Sequence, residues 1–210
     1  DVYKRQGRFI DKFYNPNGEG IASSSAYARI VGMNQFERLK QLLDQSLEQG
    51  AEIEFGGLTN AEDNFFSPTI LSNVTAESSI MQQEIFGPIL PVISYQEVSD
   101  AIELINQGSK PLALYLFSGS GSFNKRVMQE TSSGSVAIND CVVQFMNPHL
   151  PFGGVNDSGF GKSHGYYGFQ AFSNQKSVLK QKTGLTSVKP LYPPYTELTN
   201  KAIDFLLKYL

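Results

Sequence analysis

One cysteine, two histidines and no run of basic residues leave this 210-residue chain short of several kinds of chemistry. A single thiol, Cys141, cannot close an internal disulfide, so the fold is not a disulfide scaffold, and such sparse cysteine usage fits a reducing, intracellular compartment. Cys141, His149 and His164 are fewer than the four well-spaced donors that a structural zinc site takes. A net charge of −3 with no basic cluster gives no electrostatic footprint for nucleic acid. The start lacks an initiator Met and the charged-then-apolar pattern of a signal peptide. Asp1-Val2-Tyr3-Lys4-Arg5-Gln6 instead spells the translated end of an adapter used in transposon-based sequencing libraries, so residues 1–6 are set apart from the fold and a natural upstream half is expected.

What is present reads as globular. A 40% hydrophobic content with 12% aromatics in a chain of this length supports a sizeable core, one domain with appendages. Phe9 to Tyr14 reads as the last turns of a helix, stopped at Asn15-Pro16-Asn17-Gly18. Asn34 caps an expected helix from Gln35 to Gln49, with Phe36, Leu39, Leu43 and Leu47 on one face and Gly50 ending it. Residues 51–55 alternate as a strand, residues 56–64 read as a polar loop, and residues 66–71 as an extended segment. Strands at 89–95, 112–118 and 135–139, separated by helices at 98–106 and 122–130, imply parallel crossovers and an α/β sheet with ligands approaching the carboxyl ends of its strands. Residues 141–146 follow one such end, either as a continued strand or as a wall beside a cleft. Residues 200–210 form a short amphipathic helix, with Ala202, Phe205, Leu206 and Tyr209 on one face, well below the ~18 apolar residues of a membrane span.

The stretch Met81-Gln82-Gln83-Glu84-Ile85-Phe86-Gly87-Pro88 carries the chemistry. A carboxylate and an aromatic two positions apart, stopped by Gly-Pro, cannot form a helical face, but on an extended segment they point the same way. Glu84 would then offer two acceptor oxygens and Phe86 a flat apolar plate to a ligand that joins a ribose diol to a planar ring. The competing reading is a loop whose Phe86 plugs the core while Glu84 faces water.

Glu84-Ile85-Phe86-Gly87-Pro88, Pro151-Phe152-Gly153-Gly154 and Asn156-Asp157-Ser158-Gly159, in this order, resemble the carboxyl-terminal half of an aldehyde dehydrogenase. Lys110-Pro111-Leu112-Ala113-Leu114-Tyr115 and Glu130-Thr131-Ser132-Ser133-Gly134 are similar to the class 3 or fatty aldehyde dehydrogenase branch, and the resemblance runs from about Arg8 to Tyr195. It implies a fold class of α/β type: the parallel-sheet catalytic domain of that family, truncated, over residues 7–171, an oligomerisation strand over 172–185, and a tail over 186–210. It further implies NAD or NADP as cofactor, with Glu84 on the nicotinamide ribose hydroxyls and Phe86 packed on the nicotinamide. Phe152 matches the aromatic facing the substrate tunnel, Asn139 an asparagine near the active-site floor, and Cys141 lies in the tunnel region. The partners implied are a small-molecule aldehyde and a second copy in a homodimer. A membrane contact would come only through an anchor beyond Leu210, leaving a cytoplasmic or membrane-associated location open.

Aldehyde oxidation needs a thiolate to add to the carbonyl, donors for the oxyanion, and a base to activate water. By the resemblance, the nucleophilic cysteine and the general-base glutamate precede this chain, which is therefore expected to be inactive by itself. Cys141 follows the Glu84 motif by more than fifty positions, and its neighbours Val142 and Val143 favour a neutral thiol, so it reads as a packing or tunnel-wall residue. Gln83 stands where an acidic residue is more usual, and His164 reads as structural. Two other classes remain: a non-catalytic homologue serving binding or oligomerisation, and an acyl-phosphate reductase, against which the Lys110 and Pro151 motifs speak.

Overall fold

A computed structural model describes residues 2–184 and 192–209. Helix α1 (Val2–Tyr14) begins within the residues set apart above, and its last turns, Phe9 to Tyr14, end where the sequence stops them. It packs on strand β1 (Glu52–Phe55) so closely that a Cβ on its buried Gly7 would lie 2.7 Å from the Phe55 ring. Helix α2 (Met33–Glu48) is capped by Gly32, and Asn34 lies inside its first turn, so the expected cap is displaced by two residues. Its apolar face is as expected: Phe36, Leu39 and Leu43 are buried, joined by Leu42, and Gly50 leaves the helix at φ +99°.

The polar loop expected at 56–64 is half of a hairpin. Strand β2 (Thr59–Asn60) pairs antiparallel with β3 (Phe65–Phe66), and the two phenylalanines are buried. Strand β4 (Thr69–Ser72) lies between β1, to which it is antiparallel, and β5 (Ile89–Pro91), to which it is parallel with Thr69 opposite Ile89. Residues 73–88 form the crossover between these parallel strands, so the motif at Glu84 is bound at both ends into one sheet. Phe36, Leu39, Leu43, Phe66, Leu71 and Ile80 make its core, about 2 kcal/mol or more for each large side chain removed from water.

Helix α3 (Val98–Gln107), strand β6 (Ala113–Leu116), helix α4 (Gly121–Glu130) and strand β7 (Ser135–Ile138) follow the expected order. β6 and β7 are parallel in the register Ala113–Ser135 to Leu116–Ile138, and Ile102, Leu116 and Val127 form a second core. β5 does not pair with β6, so the five-element alternation yields two sheets joined by α3 where one was expected. Residues 141–146 do not continue a strand: Val142 adopts φ +69° and α5 (Val143–Met146) is a single helical turn. Helix α6 (Gly165–Ala171) follows, and residues 174–182 are exposed without helix or strand. Helix α7 (Glu197–Tyr209) begins three residues before the expected one. The parts of the 172–185 strand and 186–210 tail that fall on 185–191 and 210 lie outside the described residues. No described helix is long and apolar enough to cross a membrane. The architecture is a mixed α/β fold with parallel strand pairs.

Candidate active-site half

The Glu84 loop is organised around Ile85. This residue is half-buried and packs on the first core, whereas Phe86 is 75% exposed and Glu84 is exposed. Phe86 therefore does not plug the core; its neighbour does. Nor does a plain extended segment carry the pair, because Phe86 adopts φ +44°, a left-handed conformation that interrupts the two-residue alternation. A bulky residue there costs about 1–3 kcal/mol and persists only where its surroundings impose it.

Those surroundings are α2. Arg38 donates from Nη1 to the Glu84 carbonyl at 3.3 Å and to Gln83 Oε1 at 3.4 Å, and from Nη2 to the Ile85 carbonyl. Its Nε donates to Gln35 Oε1 at 2.9 Å. The next residue, Leu39, is fully buried beneath Gly87, where an added Cβ would lie 2.5 Å from Leu39 Cδ2. Thr69 N donates to the Pro88 carbonyl at 2.8 Å, closing the loop onto β4. Glu84, Gln83 and Met81 border a cleft of about 720 Å³ whose far side is Leu104, Ile105 and Ser109.

The Glu84 carboxylate has no hydrogen bond or ion pair among the described residues. The carboxylate offers two uncommitted acceptor oxygens, as a sugar diol requires, and the ring an uncovered apolar face. The expected arrangement of the two along one side of an extended segment is not found, however: the cleft is lined by Glu84 and not by Phe86. The resembled family's nicotinamide dinucleotide contains both a sugar diol and a flat ring.

A second cluster forms around Phe152. Its ring stacks on His164 at 5.1 Å between centroids and meets Phe145 edge-on at 5.0 Å, and its backbone exchanges hydrogen bonds with Ser163. His164 and Phe145 are themselves in edge contact at 4.8 Å, so His164 is an aromatic packing member. Under this cluster lies a glycine knot. Lys162 Nζ donates to the carbonyls of Gly153 at 2.6 Å, Gly154 at 3.2 Å and Gly134 at 3.2 Å, joining the Phe152 loop to the start of β7. Ser109 Oγ donates to Asp157 at 3.0 Å, tying the Asn156–Gly159 turn to the chain just before β6.

Asn139, at φ +60°, spends its side chain on the backbone after β6: Oδ1 accepts from Ser118 N at 2.8 Å and Nδ2 donates to Ser118 O at 3.2 Å. Cys141 is exposed, with its backbone N–H on Asp140 Oδ1 at 2.8 Å, so it is not a core packing residue. Among the described residues no hydrogen bond, ion pair or ring contact joins the Glu84 loop to the Phe152 cluster. Arg38 and Lys162 were not singled out by the sequence: Arg38 acts on carbonyls 46 and 47 positions away, and Lys162 on two that are 8 and 9 positions away and one that is 28 away.

The aldehyde dehydrogenase family model matches residues 15–178, and the chain belongs to this family of oxidoreductases acting on aldehydes. Mouse aldehyde dehydrogenase family 3 member A2 is 46% identical over 201 residues, 95% of this chain and 40% of the relative. Among solved structures, a substrate-bound Staphylococcus aureus AldH superposes with a TM-score of 0.79 at 40% identity, covering 95% of this chain and 42% of that one. An NADP-dependent enzyme of E. coli superposes with a TM-score of 0.65 at 29% identity over 70% of this chain and 30% of its own. The chain spans 35–41% of the length of the curated relatives it matches first.

Proposed function

We propose that this chain is the cofactor-positioning and substrate-lining portion of an enzyme that oxidises medium or long aliphatic, or aromatic, aldehydes to carboxylic acids with NAD+ or NADP+. The observation that carries the reading is the Glu84–Phe86 pair, uncommitted and exposed on a backbone held by α2 and β4, in a chain of this family. Glu84 would accept hydrogen bonds from the ribose hydroxyls, and the Phe86 ring would lie on the nicotinamide. When bound, the nicotinamide supplies the hydride acceptor. Phe152, with Phe145 behind it, would give the aldehyde an apolar wall. The nucleophilic cysteine, the oxyanion donors and the general-base glutamate would come from sequence outside this chain; Cys141 follows the Glu84 motif, whereas the resemblance puts the nucleophile before it. On this reading the 210 residues alone do not turn over aldehyde, and the complete protein is a homodimer.

Hydride transfer is sensitive to small misplacements of the reacting carbon. Glu84→Gln keeps the side chain's shape but weakens its grip on the ribose. In the complete protein it should slow hydride transfer on the order of 10–100-fold, read as NAD(P)H formation from aldehyde carrying deuterium at the carbonyl carbon, with the isotope effect enlarged. Unchanged hydride-transfer kinetics would remove Glu84 from the proposed role. A complete protein that forms no NAD(P)H with any aldehyde would point to a non-catalytic homologue.

A further inference from the structure

We propose that Arg38 is a positioning residue for the cofactor-facing loop: from α2, its guanidinium holds the carbonyls of Glu84 and Ile85 and so imposes the left-handed conformation that presents Phe86. This deepens the reading above and rests on it.

Three observations converge. Phe86 at φ +44° is a conformation that a bulky side chain does not adopt unaided, so something must impose it. The two peptide carbonyls immediately before Phe86 both accept from Arg38, and a third contact reaches Gln83 Oε1. The planar guanidinium suits this task, since its donors point in fixed directions and can take two successive carbonyls at once. Third, no carboxylate among the described residues pairs with Arg38. Its side-chain partners are the neutral amides of Gln35 and Gln83, so its charge is directed at the loop backbone.

The clamp acts beside a steric stop. Leu39, the next residue of α2, fills the space under Gly87, and Pro88 is hydrogen-bonded to β4. Ile85 is anchored in the core. The loop is thus fixed after Phe86 by packing and before it by the Ile85 side chain and by Arg38, and removal of the guanidinium would free the Glu84 and Ile85 carbonyls while leaving the core packing in place. Arg38 itself does not touch the ligand; it acts through the backbone of residues that would.

The test uses the complete protein with Arg38→Ala and Arg38→Lys. Amide hydrogen exchange is followed over residues 83–87 without dinucleotide, NAD+ and NADP+ affinities are titrated at equilibrium, and the rate of NAD(P)H formation is measured with protiated and deuterated aldehyde. Arg38→Ala should speed exchange of the loop amides roughly tenfold, with β4 and the rest of α2 unchanged. It should also weaken dinucleotide binding and enlarge the isotope effect. Arg38→Lys retains the charge but not the fork, and should fall between wild type and alanine in all three. If alanine fails to fold, the lysine variant carries the same comparison at unchanged Tm. Loop exchange and dinucleotide affinity that match wild type in a folded variant would overturn the inference. Wild-type protein that binds neither NAD+ nor NADP+ would instead overturn the function on which it rests, and this is seen before any variant is made.

Discussion

Tyr27 shows how one side chain can couple this fold to pH. Its hydroxyl donates to the Phe66 carbonyl at 2.6 Å, and its ring sits edge-on between Tyr14 and Phe65, joining the end of α1 to β3. Burial, aided by the neighbouring Tyr14 and opposed by Arg29, pushes its pKa up to about 12 from the ordinary 10.0. The folded protein therefore holds this proton more tightly than the unfolded chain does. The resulting stability is fully present below pH 10 and is lost as pH rises through 12. Tyr27→Phe should cost about 1 kcal/mol at neutral pH through the lost hydrogen bond. It should also lose less stability than wild type between pH 10 and 12, so that urea melts of the two proteins converge at the alkaline end. A deficit that stays constant across that range would show that ionisation of Tyr27 is not linked to folding. At this scale the sequence was informative only where chemistry is local. Glu84 and Phe86 stand out because a carboxylate and a ring flank one residue before a stop, but the left-handed turn at Phe86 that breaks their alternation was not legible. Arg38 was not legible either, because its carbonyl partners lie 46 and 47 positions away, and a half-buried arginine on a helix gives no sign of where its guanidinium will reach.

Secondary elements were legible to the extent that their periodicity was driven by one core. The face of α2, the extent of α3 and α4, and the parallel β6–β7 pair follow from apolar spacing and are found near their expected positions. The β2–β3 hairpin was missed because each strand has two residues, too few to show alternation. The separation of β5 from β6 was missed because alternating strands and helices specify order along the chain, not which edges meet. What binds β7 to the Phe152 loop is likewise invisible to periodicity. Gly134 lets the two backbones approach: a Cβ there would lie 2.6 Å from the Leu112 carbonyl oxygen and collide with that of Gly153. Lys162 then closes the junction through three carbonyls. Because the obstacles are backbone atoms, no rotamer change relieves them. Gly134→Ala should therefore destabilise the protein by roughly 2–4 kcal/mol, measured by denaturant unfolding. It should also accelerate exchange of the Phe152 and Ser163 amides, which pair across the same loop. A variant as stable as wild type would mean that β7 and this loop are not packed as tightly as the geometry requires.

For the molecule as a whole, the distribution of apolar side chains bears on assembly. Phe160, Phe172 and Leu179 are 101%, 96% and 92% exposed, and Val178 is 80% exposed. Apolar side chains exposed singly are ordinary, whereas a contiguous bare patch marks a surface that another body can cover. Residues 174–182 have neither helix nor strand, although Val178 and Leu179 sit within the segment that the family resemblance assigns to a sheet between subunits. A strand whose hydrogen-bonding partner is a second copy would have unpaired backbone and bare side chains in a single chain, and edge pairing of this kind is a strong route to association. A carboxylate placed in the centre of such an interface would be desolvated without a partner, at a cost of several kcal/mol. Leu179→Asp in the complete protein should therefore shift the proposed dimer towards monomer without lowering the stability of the Phe36–Leu71 core, which lies in a different part of the chain. Sedimentation of wild type and variant at matched concentrations provides the check. A dimer mass retained by Leu179→Asp would place the subunit contact elsewhere, and a wild-type monomer would remove the proposed assembly.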